Sequence, residues 1–234
     1  MRWILLLFFL FSFKSFAFGV SPMTGEIDVS GRLSQQKFVV TNQFKTPLDV
    51  EITPHLLEWI EGKYNAEKET DDLMVLPDTA VLQPGETRTI LIKYFGDPDV
   101  QSSKAYIIKF KQVSTNNSKN VSGTNVNMAV NFETVLTLLP NKVSSGLQIS
   151  SIVKEVDGKW LVTVDNVGNK HEWAAKYSWA IGNGKDSVVF TGKDISNKLS
   201  HKFFPPRSSI QAIVDLGNEF GDSESLNIDI RDIN

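Results

Sequence analysis

Past residue 17 the apolar residues of this chain recur with a period of two. Leu48, Val50 and Ile52 alternate with Asp49, Glu51 and Thr53. Tyr106, Ile108 and Phe110 alternate with Ile107, Lys109 and Lys111, and Leu226, Ile228 and Ile230 with Asn227, Asp229 and Arg231. Successive side chains of a strand point to opposite faces, so each run presents an apolar row on one face. No window of a dozen residues holds a clean helical period. Turn signals separate the runs: Pro84-Gly85 sits between Val81-Leu82 and Ile90-Leu91-Ile92, and Asp157-Gly158 between Ile152-Val153 and Trp160-Leu161-Val162-Thr163-Val164. Gly182-Asn183-Gly184-Lys185 reads as a further hairpin turn, its glycines at positive φ. Many short strands with regular turns specify an all-β chain of sandwiches. At 234 residues there is room for two, each of about 100 residues. The polar stretch after Pro140 divides them, with sandwiches expected over 18–140 and 148–234 and a linker over 141–147. The polar run over 114–124 reads as a long loop inside the first.

The first 17 residues are of another kind. Arg2 gives a positive start, Trp3 to Phe13 is apolar, and Ser15-Phe16-Ala17 sets small residues where a signal peptidase reads. This is the pattern of a secretory signal peptide cleaved after Ala17, the apolar run being too short to span a bilayer. The chain contains no cysteine. An exported chain of this kind folds by core burial alone, without thiol chemistry or a thiolate metal site. Formal net charge is −3, and falls to −5 when Arg2 and Lys14 leave with the leader. With no basic excess, neither nucleic acid nor a polybasic membrane contact is indicated.

Catalytic signatures are lacking. His55, His171 and His201 have no metal-type spacing with one another or with paired carboxylates. Glu58 and Glu61 flank Trp59-Ile60, and Asp71-Asp72 follow a charged stretch; both read as solvated loops. There is no Gly-x-Ser-x-Gly elbow and no phosphate-binding glycine loop. The chain reads as a non-enzyme without metal or cofactor. Trp59, Trp160, Trp173 and Trp179 raise carbohydrate binding as a second reading, that of an exported immunoglobulin-like adhesin or sugar-binding module. Trp160 alternates with Val162 and Val164, which is a core pattern.

One row stands out. In Asn125-Val126-Asn127-Met128-Ala129-Val130-Asn131-Phe132 the residues Val126, Met128, Val130 and Phe132 share a face. Such a row is either core of a closed sandwich or a strand offered to another protein. Strand addition satisfies an open sheet edge through main-chain hydrogen bonds while alternate side chains fill pockets. Four such side chains would contribute about 6–12 kcal/mol before the costs of association.

The order of several segments resembles periplasmic pilus assembly chaperones of the chaperone–usher pathway. They are Phe38-Val39-Val40-Thr41-Asn42, Pro47-Leu48-Asp49-Val50-Glu51-Ile52, Leu73-Met74-Val75-Leu76-Pro77, Leu82-Gln83-Pro84-Gly85 and Ala105-Tyr106-Ile107-Ile108-Lys109-Phe110. Later come Leu161-Val162-Thr163-Val164-Asp165-Asn166, Pro205-Pro206-Arg207-Ser208 and Asn218-Glu219-Phe220-Gly221. The resemblance implies two immunoglobulin-like sandwiches in a boomerang arrangement. It also implies pilin subunits and an outer-membrane usher as partners, and work done without nucleotide or cofactor. Such chaperones lend the last strand of the first domain to an incomplete pilin. Aligned on Pro140, Val126, Met128 and Val130 fall on the donor positions, and Phe132 extends the row.

The chain departs from that pattern where classical members carry an Arg in the first strand and a Lys in the donor strand, which clamp the pilin carboxylate. The corresponding residues are Gly25 and Val135, and Leu139 replaces the arginine before the family proline. The classical anchor is therefore missing. Lys93 and Arg32 are cations that could substitute, though a solvated surface role fits each as well. The chain resembles a divergent, non-classical branch.

Overall fold

In a computed structural model, which describes residues 18–113, 129–220 and 223–233, the period-two runs are strands. The first ten are β1 (Phe18–Ser21), β2 (Thr24–Asp28), β3 (Gln35–Asn42), β4 (Leu48–Ile60), β5 (Lys63–Asn65), β6 (Leu73–Leu76), β7 (Thr79–Leu82), β8 (Thr87–Tyr94), β9 (Lys104–Val113) and β10 (Asn131–Leu139). They form two layers. One sheet has the order β1-β3-β8-β6; the other runs β2-β10-β9-β4-β5, with β7 also on β4. The apolar rows meet between the layers: Phe38, Val40, Ile52, Leu82, Ile90, Tyr106, Phe110 and Leu136 are all buried there. Each large side chain so buried contributes about 1.5–3 kcal/mol, which suffices without disulfides. Asn42 pins a turn by donating from Nδ2 to the carbonyls of Thr46 and Leu82, at 2.9 and 3.0 Å.

The rest of the chain adds β11 (Leu147–Lys154), β12 (Lys159–Asn166), β13 (Glu172–Trp173), β14 (Tyr177–Gly182), β15 (Ser187–Phe190), β16 (Phe203–Phe204), β17 (Ser208–Asp215) and β18 (Asn227–Asp232). A β11-β12-β17 sheet and a β15-β14-β18 sheet enclose a second core built on Trp160, Val164, Trp179, Phe204 and Val214. The short β13-β16 pair completes this half. The architecture is two immunoglobulin-like β-sandwiches, as the patterning predicts. The one α-helix among the described residues, α1 (Gly192–Lys198), has seven residues, and none is long and apolar enough to cross a membrane.

Turn chemistry follows the sequence with one exception. Asp157 and Gly158 both have positive φ, at 58° and 70°. A Cβ on Gly158 would lie 1.9 Å from the carbonyl oxygen of Gly217, so only glycine fits. In the turn after β14, Gly184 has positive φ but Gly182 does not, because Gly182 still belongs to the strand.

The two sandwiches are joined by side chains. Asn169 donates from Nδ2 to the carbonyls of Gln101 and Lys142, at 3.1 and 2.7 Å, and its Oδ1 accepts from the Ser144 N–H at 2.7 Å. The Ser103 N–H donates to the Asn169 carbonyl at 2.8 Å. The Tyr64 hydroxyl donates to the Phe203 carbonyl. Trp59, at the far end of β4, packs against the second core and meets His201 ring edge to face at 5.6 Å. These contacts fix the walls of a cleft beside β10.

Candidate functional site

The two neighbours of β10 cover different lengths of it. β9 pairs antiparallel along nearly all of the strand, from Asn131↔Lys111 to Leu138↔Lys104. β2 pairs parallel on the other side only from Val135↔Thr24 to Leu139↔Asp28. Among the described residues, the side of 131–134 that faces away from β9 has no strand partner. Among the described residues this stretch is a sheet edge that β2 leaves uncovered.

The even-numbered side chains of β10 point inward. Leu138, Leu136 and Thr134 are fully buried, while Phe132 and Val130 are half-buried at the rim of the first core. The Phe132 ring meets that of Phe18 edge to face, with centroids 4.7 Å apart. Among the described residues the Thr134 hydroxyl, within this row, finds no hydrogen-bond partner. Sequence alternation predicts one strand across 125–132; the described strand starts at Asn131. The β9–β10 ladder ends at Lys111↔Asn131, and side chains take over there. The Val130 N–H donates to Gln112 Oε1 at 3.2 Å, and the Gln112 N–H donates to Asn131 Oδ1 at 3.3 Å. Val126 and Met128 lie outside the described residues.

Two of the odd-numbered side chains face the cleft. Glu133 and Val135 line a groove of about 460 Å³ with Leu57, Ile107, Trp173 and Phe203. On the other side of Trp173 a second hollow is bounded by Thr24, Glu26 and Lys176. Of the two classical clamp positions, Val135 does face this cleft. Gly25 borders the second hollow with its backbone, while a Cβ there would point inward, 3.2 Å from Leu136 Cδ1 and 3.3 Å from Gln36 Cγ. The residue beside Val135 in the ladder is Thr24, one place earlier, because parallel neighbours share a face. Neither Thr24 nor Val135 is basic.

The cations near the cleft are engaged. Lys109 Nζ donates to the Ala66 carbonyl at 2.9 Å, and Lys176 forms an ion pair with Glu26. Lys93 belongs to β8, in the opposite sheet, and Arg32 to a 3₁₀ turn after β2; neither lines the groove.

Three other polar clusters surround the site. Ser103 Oγ lies 2.7 Å from His171 Nδ1, and burial lowers His171 to about 4. Asp72 receives hydrogen bonds from Lys104 Nζ and Tyr106 OH, each at 2.8 Å; partial burial opposes ionisation, but these bonds prevail and hold the carboxyl below its ordinary range. Glu172 is buried beside Lys170; desolvation wins over the ammonium and pushes its carboxyl up. Burial likewise pushes up the hydroxyl of Tyr64. Among the described residues no group of three or more His, Asp or Glu is placed to hold a metal ion. Trp160 and Trp179 are core, so the four tryptophans form no shared sugar platform. Sequence periodicity missed the Ser103–His171 and Tyr64–Phe203 pairs, whose members are 68 and 139 residues apart.

No family model matches the chain, and no curated protein matches it. Solved structures do. A chain of the complex of the Salmonella enterica SafA pilin with the SafB chaperone aligns over 94% of this chain and 98% of its own, with TM-score 0.59 and 14% identity. The YadV chaperone aligns over 93% of each chain, with TM-score 0.59 and 12% identity. A chain of the CsuC–CsuE chaperone–tip adhesion subunit complex, from the archaic chaperone–usher Csu pili of Acinetobacter baumannii, covers 92% of this chain and 97% of its own. Its TM-score is 0.55 and its identity 12%. At these identities the likeness is one of fold, and it extends through both sandwiches.

Proposed function

We propose that this chain is a periplasmic chaperone of the chaperone–usher pathway. It holds pilus subunits by lending them a strand and delivers them to an outer-membrane usher, without catalysis or cofactor. The leader over 1–17 would take it to the periplasm and be removed after Ala17, and the working domains would span 18–140 and 148–234, joined by 141–147. The lent strand would be the row Val126, Met128, Val130 and Phe132.

The observation that carries this reading is that, among the described residues, the edge of β10 at 131–134 away from β9 has no strand partner. A strand that is paired on one side only, and whose inward side chains are half-buried at the rim, can accept a partner strand and share its row with that partner's core. The fold likeness to chaperones solved with a pilin or tip subunit supports the same role. Co-expression with a candidate pilus subunit tests it. Met128→Asp with Val130→Asp is expected to abolish co-purification of the subunit while the free protein keeps its circular dichroism spectrum and melting transition. An unfolded double variant, or undiminished capture, would assign the row to the protein's own core.

A further inference from the structure

We propose that the groove on the outward face of β10 is a side-chain pocket for an uncharged apolar residue of the partner strand, and not a site for a charged chain end. The inference rests on the strand-lending reading and adds what the partner must present. Position comes first. Val135 is already faced by Thr24 of β2, but Glu133 lies in the stretch that β2 leaves uncovered, so a chain pairing along 131–134 brings an outward side chain to about 5 Å from Glu133 and diagonally to about 7–8 Å from Val135. The partner therefore passes the mouth of this groove by the act of pairing.

Lining comes second. Ile107 and Val135 form one wall, and Trp173 and Phe203, from the second sandwich, form the other. The hydrogen bond from Tyr64 to the Phe203 carbonyl and the ring contact between Trp173 and Phe203, 4.4 Å between centroids, hold that second wall in place. A volume of about 460 Å³ falls in the range of preformed ligand pockets.

Charge comes third. Lys109 is the cation of the groove, with Glu133 opposite it in the ladder and Glu67 at the rim. Its Nζ is already bonded to the Ala66 carbonyl. Lys176, in the neighbouring hollow, is paired with Glu26. A carboxylate entering here meets two carboxylates against one ammonium, so the groove is net negative and it would lose its hydration without an equivalent return. An aliphatic or aromatic side chain meets Ile107, Val135, Trp173 and Phe203 and leaves every existing polar bond intact.

The test uses two probes of equal size, N-acetylphenylalaninamide and the N-acetylphenylalanine carboxylate, titrated into the full-length mature protein. Binding is followed by NMR at the Ile107 methyls and the Trp173 indole N–H. The amide is expected to shift both signals saturably, and the carboxylate to bind at least about five-fold more weakly. Val135→Arg is expected to reverse that order. If this variant fails to fold, the wild-type comparison still decides. Equal or tighter binding of the carboxylate to the wild type, or no shift of either signal by the amide, overturns the proposal. Probe binding needs no subunit. Failure here with capture intact removes only the pocket, whereas loss of strand lending with the amide still bound removes only the chaperone reading.

Discussion

Ser103 and His171 are joined twice across the junction of the two sandwiches. The Ser103 Oγ accepts the His171 backbone N–H at 2.7 Å and lies 2.7 Å from the ring Nδ1. The hydroxyl has two lone pairs and one proton, so Oγ donates to Nδ1 or accepts from it according to the ring tautomer, and burial favours the neutral ring. The ring also lies flat against Phe203, with centroids 4.9 Å apart and planes 13° from parallel.

Acid should therefore loosen this junction. Burial lowers His171 from its ordinary 6.5 to about 4, so its contribution is fully present above 6.5 and is lost as pH falls towards 4. The loss reaches about 2 kcal/mol near pH 5. Urea unfolding of the wild type is expected to weaken more between neutral and mildly acid pH than that of His171→Gln. Parallel pH profiles for the two proteins would remove His171 as the cause.

Thr134→Val should stabilise the protein. The change keeps the shape and removes a buried hydroxyl that has no partner among the described residues. Such a group costs about 1–3 kcal/mol. Calorimetry should show the melting temperature rising by about 2–4 °C for each kcal/mol recovered, while Thr134→Ser, which keeps the hydroxyl and loses a methyl, should lower it.

The Phe18–Phe132 contact should be measurable as a coupling. Phe18 is fully buried, and Phe18→Ala is expected to cost about 3–5 kcal/mol. Phe132 is half-buried, so Phe132→Ala should cost less. A double-mutant cycle on urea midpoints should return about 0.5–1.5 kcal/mol between them; an additive cycle would mean that the edge contact contributes nothing.

Gly158→Ala should be among the most damaging small changes in the second sandwich. It puts a methyl group against the Gly217 carbonyl and forces a positive φ on alanine, at a cost above about 1 kcal/mol. Asp157→Gly, at a neighbouring residue that already has positive φ, should be tolerated. Equal melting temperatures for Gly158→Ala and wild type would show that the hairpin relaxes freely.

Much of the fold could be read directly from period and turns. Leu48, Val50 and Ile52 are buried in β4 as their alternation requires, and Trp160 is core for the same reason. The Asp157-Gly158 turn has the backbone its residues prefer. The cleft was legible only in part. Val135 lines the groove and Thr24, not Gly25, stands beside it in the ladder, a parallel register that no one-dimensional pattern fixes. Trp173 and Phe203 belong to two-residue strands, too short to show a period, and they reach the cleft through tertiary contacts alone. Residues 68 and 139 positions apart leave no trace of their pairing in a one-dimensional pattern.

The uncovered stretch of β10 also bears on how the protein behaves in bulk. Main-chain donors and acceptors are the same in every polypeptide, so the edge at 131–134 offers a second copy of this chain the same bonds it offers a partner. Two copies meeting there silence each other. If the proposed capture uses this edge, self-association would draw on the same groups, and the share of molecules with a vacant edge would fall as the protein's own concentration rises.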